Sequence, residues 1–315
     1  MIRAARLQIL IELLAFTTVF GACATGKVSS APFEQMSSSM LQVRTGADAS
    51  LGVLYDRARD RYIATATADV EQVEALKLTR PKPGDTFGWT SSKPPLFLTT
   101  ARFREGVYRL NSTIIEYSNT LGRLANQDLI DPAAFNQLAN DLNGNLNSAV
   151  TALGVQPSGR EIAIFSTVAS AAFEAYLRHQ QRSALVKALR ENQPAIQNVG
   201  ELGAQAVRIT AEALRSEYDL RSRDLAVAAA PPGTSASRQA AVRELADFDD
   251  RFVKELSALK VLHDTYVALP AAHQEVATSL EQSRLGLASL QALFQNGQDL
   301  FRRYEELAGK DKKTN

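Results

Sequence analysis

The 315-residue chain is poor in the residues that most often carry covalent or metal chemistry, with one cysteine, one tryptophan and three histidines. A single cysteine cannot form a disulfide within the chain or build a multi-cysteine zinc centre. His179, His263 and His273 are not spaced three or four residues from one another, and no Glu-x-x-His pair typical of di-iron bundles is present. We therefore expect no metal site, no cofactor, and histidines that are surface or capping residues.

Catalytic signatures are missing as well. The sequence has no Gly-x-Ser-x-Gly nucleophile turn after a strand and no glycine-rich phosphate loop. Adjacent carboxylates, such as Asp249-Asp250 and Glu305-Glu306, lie on predicted helices and are typical of solvated faces. The sequence therefore predicts a protein without enzymatic activity, the weaker alternative being an enzyme whose residues converge only in three dimensions.

Charge of neither sign is in excess. The chain has 35 basic and 34 acidic residues, and without residues 1–22 the two numbers become equal at 33. A nucleic-acid surface would show a basic excess, and a solvating tail would show an acidic block. We therefore expect no nucleic-acid partner.

The start of the chain has the layout of a secretion signal. Arg3 and Arg6 are followed by the largely apolar residues 7–20, and Phe20-Gly21-Ala22-Cys23 brings small residues up to the cysteine. This segment resembles the signal of bacterial lipoproteins, in which the cysteine at the cleavage site becomes the acylated first residue. The resemblance implies that Cys23 is the lipid attachment site.

In that family an aspartate after the cysteine retains the protein at the inner membrane, and here Ala24 follows. The resemblance thus implies a lipid-anchored protein of the bacterial cell envelope, at the outer membrane and facing the periplasm. Residues 1–22 would be the signal peptide and 23–32 a lipidated tether, because several acyl chains together hold a protein stably on a membrane. A plain secretory peptide or an uncleaved anchor is the alternative, although the apolar run is shorter than the roughly 20 residues of a span.

Apolar residues recur in steps of three and four along the rest of the chain, and no stretch alternates as a strand does. This pattern predicts an all-α fold, an elongated up-down bundle of six or seven long amphipathic helices with coiled-coil-like seams. The bundle would occupy residues 33–309, with a possible subdivision near 154–159 and a tail at 310–315. The predicted helices are 33–78, 103–124, 132–153, 162–189, 196–220, 242–266 and 276–307.

Prolines mark three of the predicted boundaries. Asp131-Pro132 and Asn192-Gln193-Pro194 each combine a capping residue with a following proline, a combination that starts helices. We therefore predict a helix start at Pro132 and a tight hairpin at residues 192–194. Pro270 is predicted to separate the last two helices, although one kinked helix through Pro270 also fits.

The segment at residues 79–95 carries Phe87 and the single tryptophan, Trp89, among glycine, proline, serine and lysine residues. Segments of this length without secondary structure are often functional, and exposed aromatic rings are favoured interface anchors. Phe87 and Trp89 are therefore candidate partner-binding residues. The alternative is that both rings fold back and plug the end of the bundle.

Taken together, these features predict a membrane-anchored, non-enzymatic helical scaffold or adaptor whose partners are membrane lipid, through Cys23, and other envelope proteins. The alternative is a periplasmic binding protein for an apolar ligand or lipid held between the helices.

Overall fold

The computed structural model describes residues 28–66, 96–126, 132–153, 181–230, 233–282 and 287–311. These ranges contain α1 (Ala31–Ala66), α2 (Leu96–Ala125), α3 (Pro132–Leu153), α4 (Gln181–Ala228), α5 (Ser235–Gln282) and α6 (Ala288–Asp311). The predicted all-α bundle is confirmed, and the described ranges contain no strand. The possible subdivision near 154–159 lies outside them.

Contacts between side chains set the direction of each helix. Helices α1 and α2 are antiparallel, since Arg44 bonds Ser112 whereas Tyr55, further along α1, contacts Phe97 in the first turn of α2. The pairs α2–α3, α4–α5 and α5–α6 are antiparallel in the same way. Helices α1 and α6 are parallel, because Gly297 lies against Gln42 and Gly46, further along α1, lies against Leu300. Helices α1, α3, α4 and α6 therefore point one way, and α2 and α5 point the other.

One hydrophobic core receives residues from all six helices. The apolar seam predicted on α1 is fully or almost fully buried at Phe33, Met36, Met40, Val43, Ala47, Leu51, Leu54 and Ala58. Each large apolar side chain removed from water in this way contributes roughly 1.5–3 kcal/mol. The spacing that predicted the helix is therefore also the spacing that packs it.

Helix α4 continues without interruption through Pro194, so the predicted hairpin at residues 192–194 is wrong. Asn192 does not cap a new helix; its side-chain amide donates to the Ala188 carbonyl one turn earlier, at 2.7 Å. A proline inside a helix costs about 3 kcal/mol. Leu189 and Ile196, on either side of Pro194, are both 0 % exposed, and packing of this kind offsets the cost.

Helix α5 likewise runs through Pro270, so the continuous alternative is confirmed and the predicted boundary there is wrong. The reversal comes later, because α5 ends at Gln282 and α6 begins at Ala288, within the predicted helix 276–307. The Glu275 carboxylate accepts hydrogen bonds from the backbone N–H groups of Ala288 and Ser289, at 3.0 and 2.7 Å. This cap comes from the preceding helix, so no local capping signal announces it.

The other boundaries match the predictions more closely. Helix α3 begins at Pro132 and ends at Leu153, as predicted, and α1 begins two residues before Phe33. Helix α2 begins at Leu96, seven residues earlier than predicted, and Phe97 in its first turn lies against the rings of Tyr55 and Tyr62.

Two glycines bring α4 and α5 unusually close. A Cβ atom on Gly203 would lie 2.5 Å from the Tyr266 ring, and one on Gly200 would lie 2.7 Å from the Tyr266 carbonyl oxygen. Only residues without a side chain leave room for this crossing. This close crossing places the outer faces of α4 and α5 side by side.

Candidate functional site: a groove between the two longest helices

The residues singled out from the sequence as attachment or partner sites, Cys23, Phe87 and Trp89, lie outside the described ranges. His179 lies outside them too. Their predicted roles therefore stay predictions, and the candidate site is built from the described helices.

His273 is completely buried, which corrects the expectation that the histidines are surface or capping residues. Its Nε2 atom lies 3.0 Å from the Tyr117 hydroxyl on α2, and its Nδ1 atom lies 2.6 Å from the Gln193 side-chain oxygen on α4. The Gln193 amide nitrogen donates to the Pro270 carbonyl on α5, at 3.0 Å. We call Tyr117, His273 and Gln193 the His273 network. Its hydrogen bonds join α2, α4 and α5 at one level of the bundle.

The protonation states of His273 and Tyr117 in the His273 network follow from its geometry. Because the Gln193 oxygen can only accept, Nδ1 of His273 carries the proton, and Nε2 accepts from the Tyr117 hydroxyl. Burial lowers the pKa of His273 to about 3 and raises the pKa of Tyr117 above its usual range. Both groups are therefore neutral near pH 7, and the hydrogen bonds of the His273 network hold α2, α4 and α5 in register.

A second buried contact lies one to two turns away. The Tyr266 hydroxyl donates to the Asn111 side-chain oxygen at 3.2 Å, and both residues are completely buried. Tyr266 is also the residue that Gly200 and Gly203 accommodate. Such hydrogen bonds between neighbouring helices penalise any sliding of one helix past another, since a slipped register would leave buried polar groups unpaired.

Ion pairs tie α1 to the α4–α5 hairpin. Arg57 on α1 pairs with the buried carboxylate of Glu255 at 2.9 Å and also donates to the Leu307 carbonyl near the end of α6. Arg61, one turn further along α1, pairs with Glu217 on α4. Burial raises the pKa of the Glu217 carboxyl, and the Arg61 guanidinium opposes that rise.

A groove with a volume of about 410 Å³ lies open to solvent between α4 and α5. Its floor is apolar, with Val207 and Leu259 fully buried and Ala211 and Leu256 half-buried. We call this feature the α4–α5 groove. On the α5 side its bank includes Val253, whose side chain is 63 % exposed although it is apolar.

The charged residues on the two banks of the α4–α5 groove differ in whether they are paired. Lys260 bonds Asp264; burial alone would raise the pKa of Asp264, but hydrogen bonds from Lys260 and His263 lower it. Arg208 and Arg215 on α4 are exposed and form no ion pair with any residue in the described part of the chain. The α4 bank therefore presents two guanidinium groups outside any ion pair, with the single carboxylate of Glu212 between them.

A groove of similar size between α1 and α2 differs in this respect. It has a volume of about 400 Å³ and is lined by residues that include Asp48, Arg104 and Glu105. Arg104 binds both carboxylate oxygens of Asp48, at 2.6 and 3.0 Å, and Glu105 pairs with Arg109 at 2.6 Å. Its charges are satisfied within the protein.

Sequence reasoning did not find the α4–α5 groove. Arg208 and Arg215 are seven residues apart on one helix, a spacing that places them on the same face and that the sequence does show. What the sequence does not show is which of the nearby carboxylates are engaged by other residues. Asp249 is one such case, because it accepts a 2.5 Å hydrogen bond from Tyr218.

Within the described ranges, no three histidine, cysteine, aspartate or glutamate side chains lie close enough together to share a metal ion. None of the described helices is both long and apolar enough to cross a membrane. No family model, curated protein or solved structure matches the chain.

Proposed function

We propose that this protein is a membrane-anchored, non-enzymatic helical adaptor of the bacterial cell envelope, attached through acylated Cys23 and acting through protein partners. It would sit at the outer membrane and face the periplasm, as the lipoprotein-like signal at residues 1–23 implies. Its coiled-coil-like helix seams would make it a rigid spacer, since α4 and α5, with 48 residues each, are about 70 Å long.

The observation that carries the adaptor proposal is the α4–α5 groove. It combines an apolar floor with two exposed arginines on α4, Arg208 and Arg215, that form no ion pair with any described residue. Exposed apolar surface with arginine at its edge is typical of protein interfaces. A partner seated there would bury the exposed side chain of Val253.

The buried polar residues support a structural role for the core. Both ring nitrogens of His273 are engaged by Tyr117 and Gln193, so the imidazole has no free position for a substrate. The Glu255 carboxylate is held by Arg57. General acid–base catalysis needs a titratable group within reach of a substrate, which these paired groups do not offer.

Anchoring is tested by the substitution Cys23→Ser in the full-length gene. We expect the wild-type protein to incorporate labelled palmitate and to sediment with membranes, and the variant to do neither while keeping its helical circular dichroism. Ala24→Ser is the matched control and should behave as wild type. A wild-type protein that carries no acyl chain would remove the anchor from the proposal.

The adaptor role is tested by chemical crosslinking in intact cells, followed by identification of the bound proteins. We expect one or a few envelope proteins to be captured by the wild-type chain. Native mass spectrometry of the purified protein separates the alternative, because a co-purifying small molecule without a protein partner would favour a ligand-binding protein.

The predicted role of Phe87 and Trp89 is tested in the same assay. Changing both to serine should abolish partner capture without altering the helical circular dichroism, if the two rings are interface anchors. Unchanged capture would leave the described helices, and the α4–α5 groove in particular, as the binding surface.

A further inference from the structure

The two banks and the floor of the α4–α5 groove restrict what can occupy it. We infer that the groove binds an acidic amphipathic helix of a partner protein, with apolar side chains on the floor and carboxylates against Arg208 and Arg215. This inference rests on the proposed adaptor function and specifies the chemistry of the partner.

The shape of the groove favours a helix. Its α4 bank runs from Val207 to Arg215, which is about 12 Å or two helical turns at 1.5 Å per residue. A helix lying along α4 and α5 would present apolar residues at positions i, i+3 or i+4, and i+7 to this floor. A single acyl chain is better served by an enclosed cavity, whereas this groove is open to solvent beside Val253.

The charge pattern favours carboxylates on that helix. Arg208 and Arg215 are both exposed and unpaired among the described residues, whereas Lys260 on the opposite bank is already paired with Asp264. Carboxylates seven residues apart on a partner helix have the same axial spacing as the two arginines, and each guanidinium can bind a carboxylate with two hydrogen bonds. Glu212 lies between the two arginines, so it would repel a partner helix that carries carboxylates in three or more consecutive turns.

The α1–α2 groove provides the internal contrast. There Asp48 and Arg104 neutralise each other across the groove, so an incoming charged residue would have to displace an existing pair. In the α4–α5 groove no such displacement is needed for Arg208 or Arg215. The energetic difference selects the α4–α5 groove for an anionic partner.

The first test places a photoreactive benzoylphenylalanine at Val253 of the full-length protein, in the cells that produce it. Val242, on the same helix, outside the groove and 54 % exposed, receives the same residue as the matched control. After illumination the crosslinked peptide is sequenced by mass spectrometry. We expect position 253 to yield one segment with helical apolar spacing and a net negative charge, and position 242 to yield at least tenfold less of it.

The second test reverses the charge of the α4 bank. We expect Arg208→Glu combined with Arg215→Glu to lower the yield at position 253 at least tenfold, because like charges then face each other. Arg223→Glu with Arg243→Glu, two exposed arginines of the same hairpin outside the groove, is the matched control and should leave the yield within twofold. Exchanging the partner's carboxylates for arginine should restore crosslinking to the reversed variant.

The outcomes separate the inference from the proposed function. A neutral or basic segment at position 253, a second copy of this chain, or a lipid adduct overturns the inference while leaving capture of partners elsewhere intact. Loss of yield in the control variant equal to that in the groove variant also overturns it. Absence of any protein partner at every position, together with an unacylated Cys23, overturns the proposed function itself.

Discussion

The two halves of the α4–α5 hairpin are built on different principles. Where α2 packs against it, near Tyr266, the hairpin is buried on its inner side, and polar groups there bond across to neighbouring helices. Beyond Tyr218 and Phe248 the same two helices carry apolar side chains in water, with Leu220 65 % and Val227 75 % exposed. We call the first region the packed half and the second the distal half.

The difference shows what holds a long helix in place. The distal half is supported mainly by contacts between its own two helices, such as the stacking of Tyr218 on Phe248 and Phe252 and the ion pair of Arg221 with Glu244. Exposed ion pairs contribute at most about 1 kcal/mol each. In the packed half, α2 also covers the hairpin and buries residues such as Tyr266. Unfolding of the packed half should therefore be coupled to unfolding of the bundle.

Truncation of Tyr266 to alanine should show the strength of the packed half. The ring is completely buried and its hydroxyl bonds Asn111, so Tyr266→Ala leaves both a cavity and an unpaired amide. We expect the free energy of unfolding to fall by about 4 kcal/mol in urea titrations. Val267→Ala, at the neighbouring exposed position, is the control and should change it by less than about 0.5 kcal/mol. Equal effects would mean that burial of the Tyr266 ring does not stabilise the packed half.

Hydrogen exchange should report the same division without any substitution. We expect amides of residues 241–248 in the distal half to open with a free energy about 3 kcal/mol lower than amides of residues 258–266 in the packed half. This corresponds to exchange more than a hundredfold faster under native conditions. Uniform protection along α5 would mean that the whole helix opens as one unit.

The sequence predicts the class of fold but not where the long helices reverse. The apolar spacing on α1 and the Asp131-Pro132 signal are local, and the structure confirms the helices that they predicted. Pro194 and Pro270 misled because their local cost is outweighed by burial of the residues on either side. Conversely, the true reversal after Gln282 is stabilised by Glu275, which caps α6 from the preceding helix.

The candidate site was hidden from sequence reasoning for the same reason. The spacing of Arg208 and Arg215 was visible, but whether a charge is compensated depends on which helices lie beside it. His273 shows the opposite error, because a histidine with no metal-site spacing was expected at the surface or at a helix cap and is instead fully buried between Tyr117 and Gln193. Pairing and burial are both properties of the assembled bundle.

The close crossing of α4 and α5 in the packed half can be tested by adding one methyl group at Gly203. Because the new Cβ would lie 2.5 Å from the base of the Tyr266 ring, α4 and α5 must separate. We expect Gly203→Ala to lower the free energy of unfolding by about 2 kcal/mol in spite of the higher helix propensity of alanine. Gly144→Ala is the control, since nothing lies within 4 Å of the position of its Cβ, and it should stabilise the protein by up to about 1 kcal/mol.

Acidification should weaken the packed half through His273. Its pKa is about 3 in the folded protein and 6.5 when solvated, so between these values only the unfolded chain binds the proton. Stability contributed by the neutral imidazole is therefore present above pH 6.5 and is lost as the pH falls from 6.5 towards 3. Between pH 7 and pH 5.5 we expect the free energy of unfolding to fall by about 1.3 kcal/mol more in the wild type than in His273→Gln, which has no group to protonate. If His273→Gln and the wild type lose stability in parallel, the imidazole is not the group that links this level of the bundle to pH.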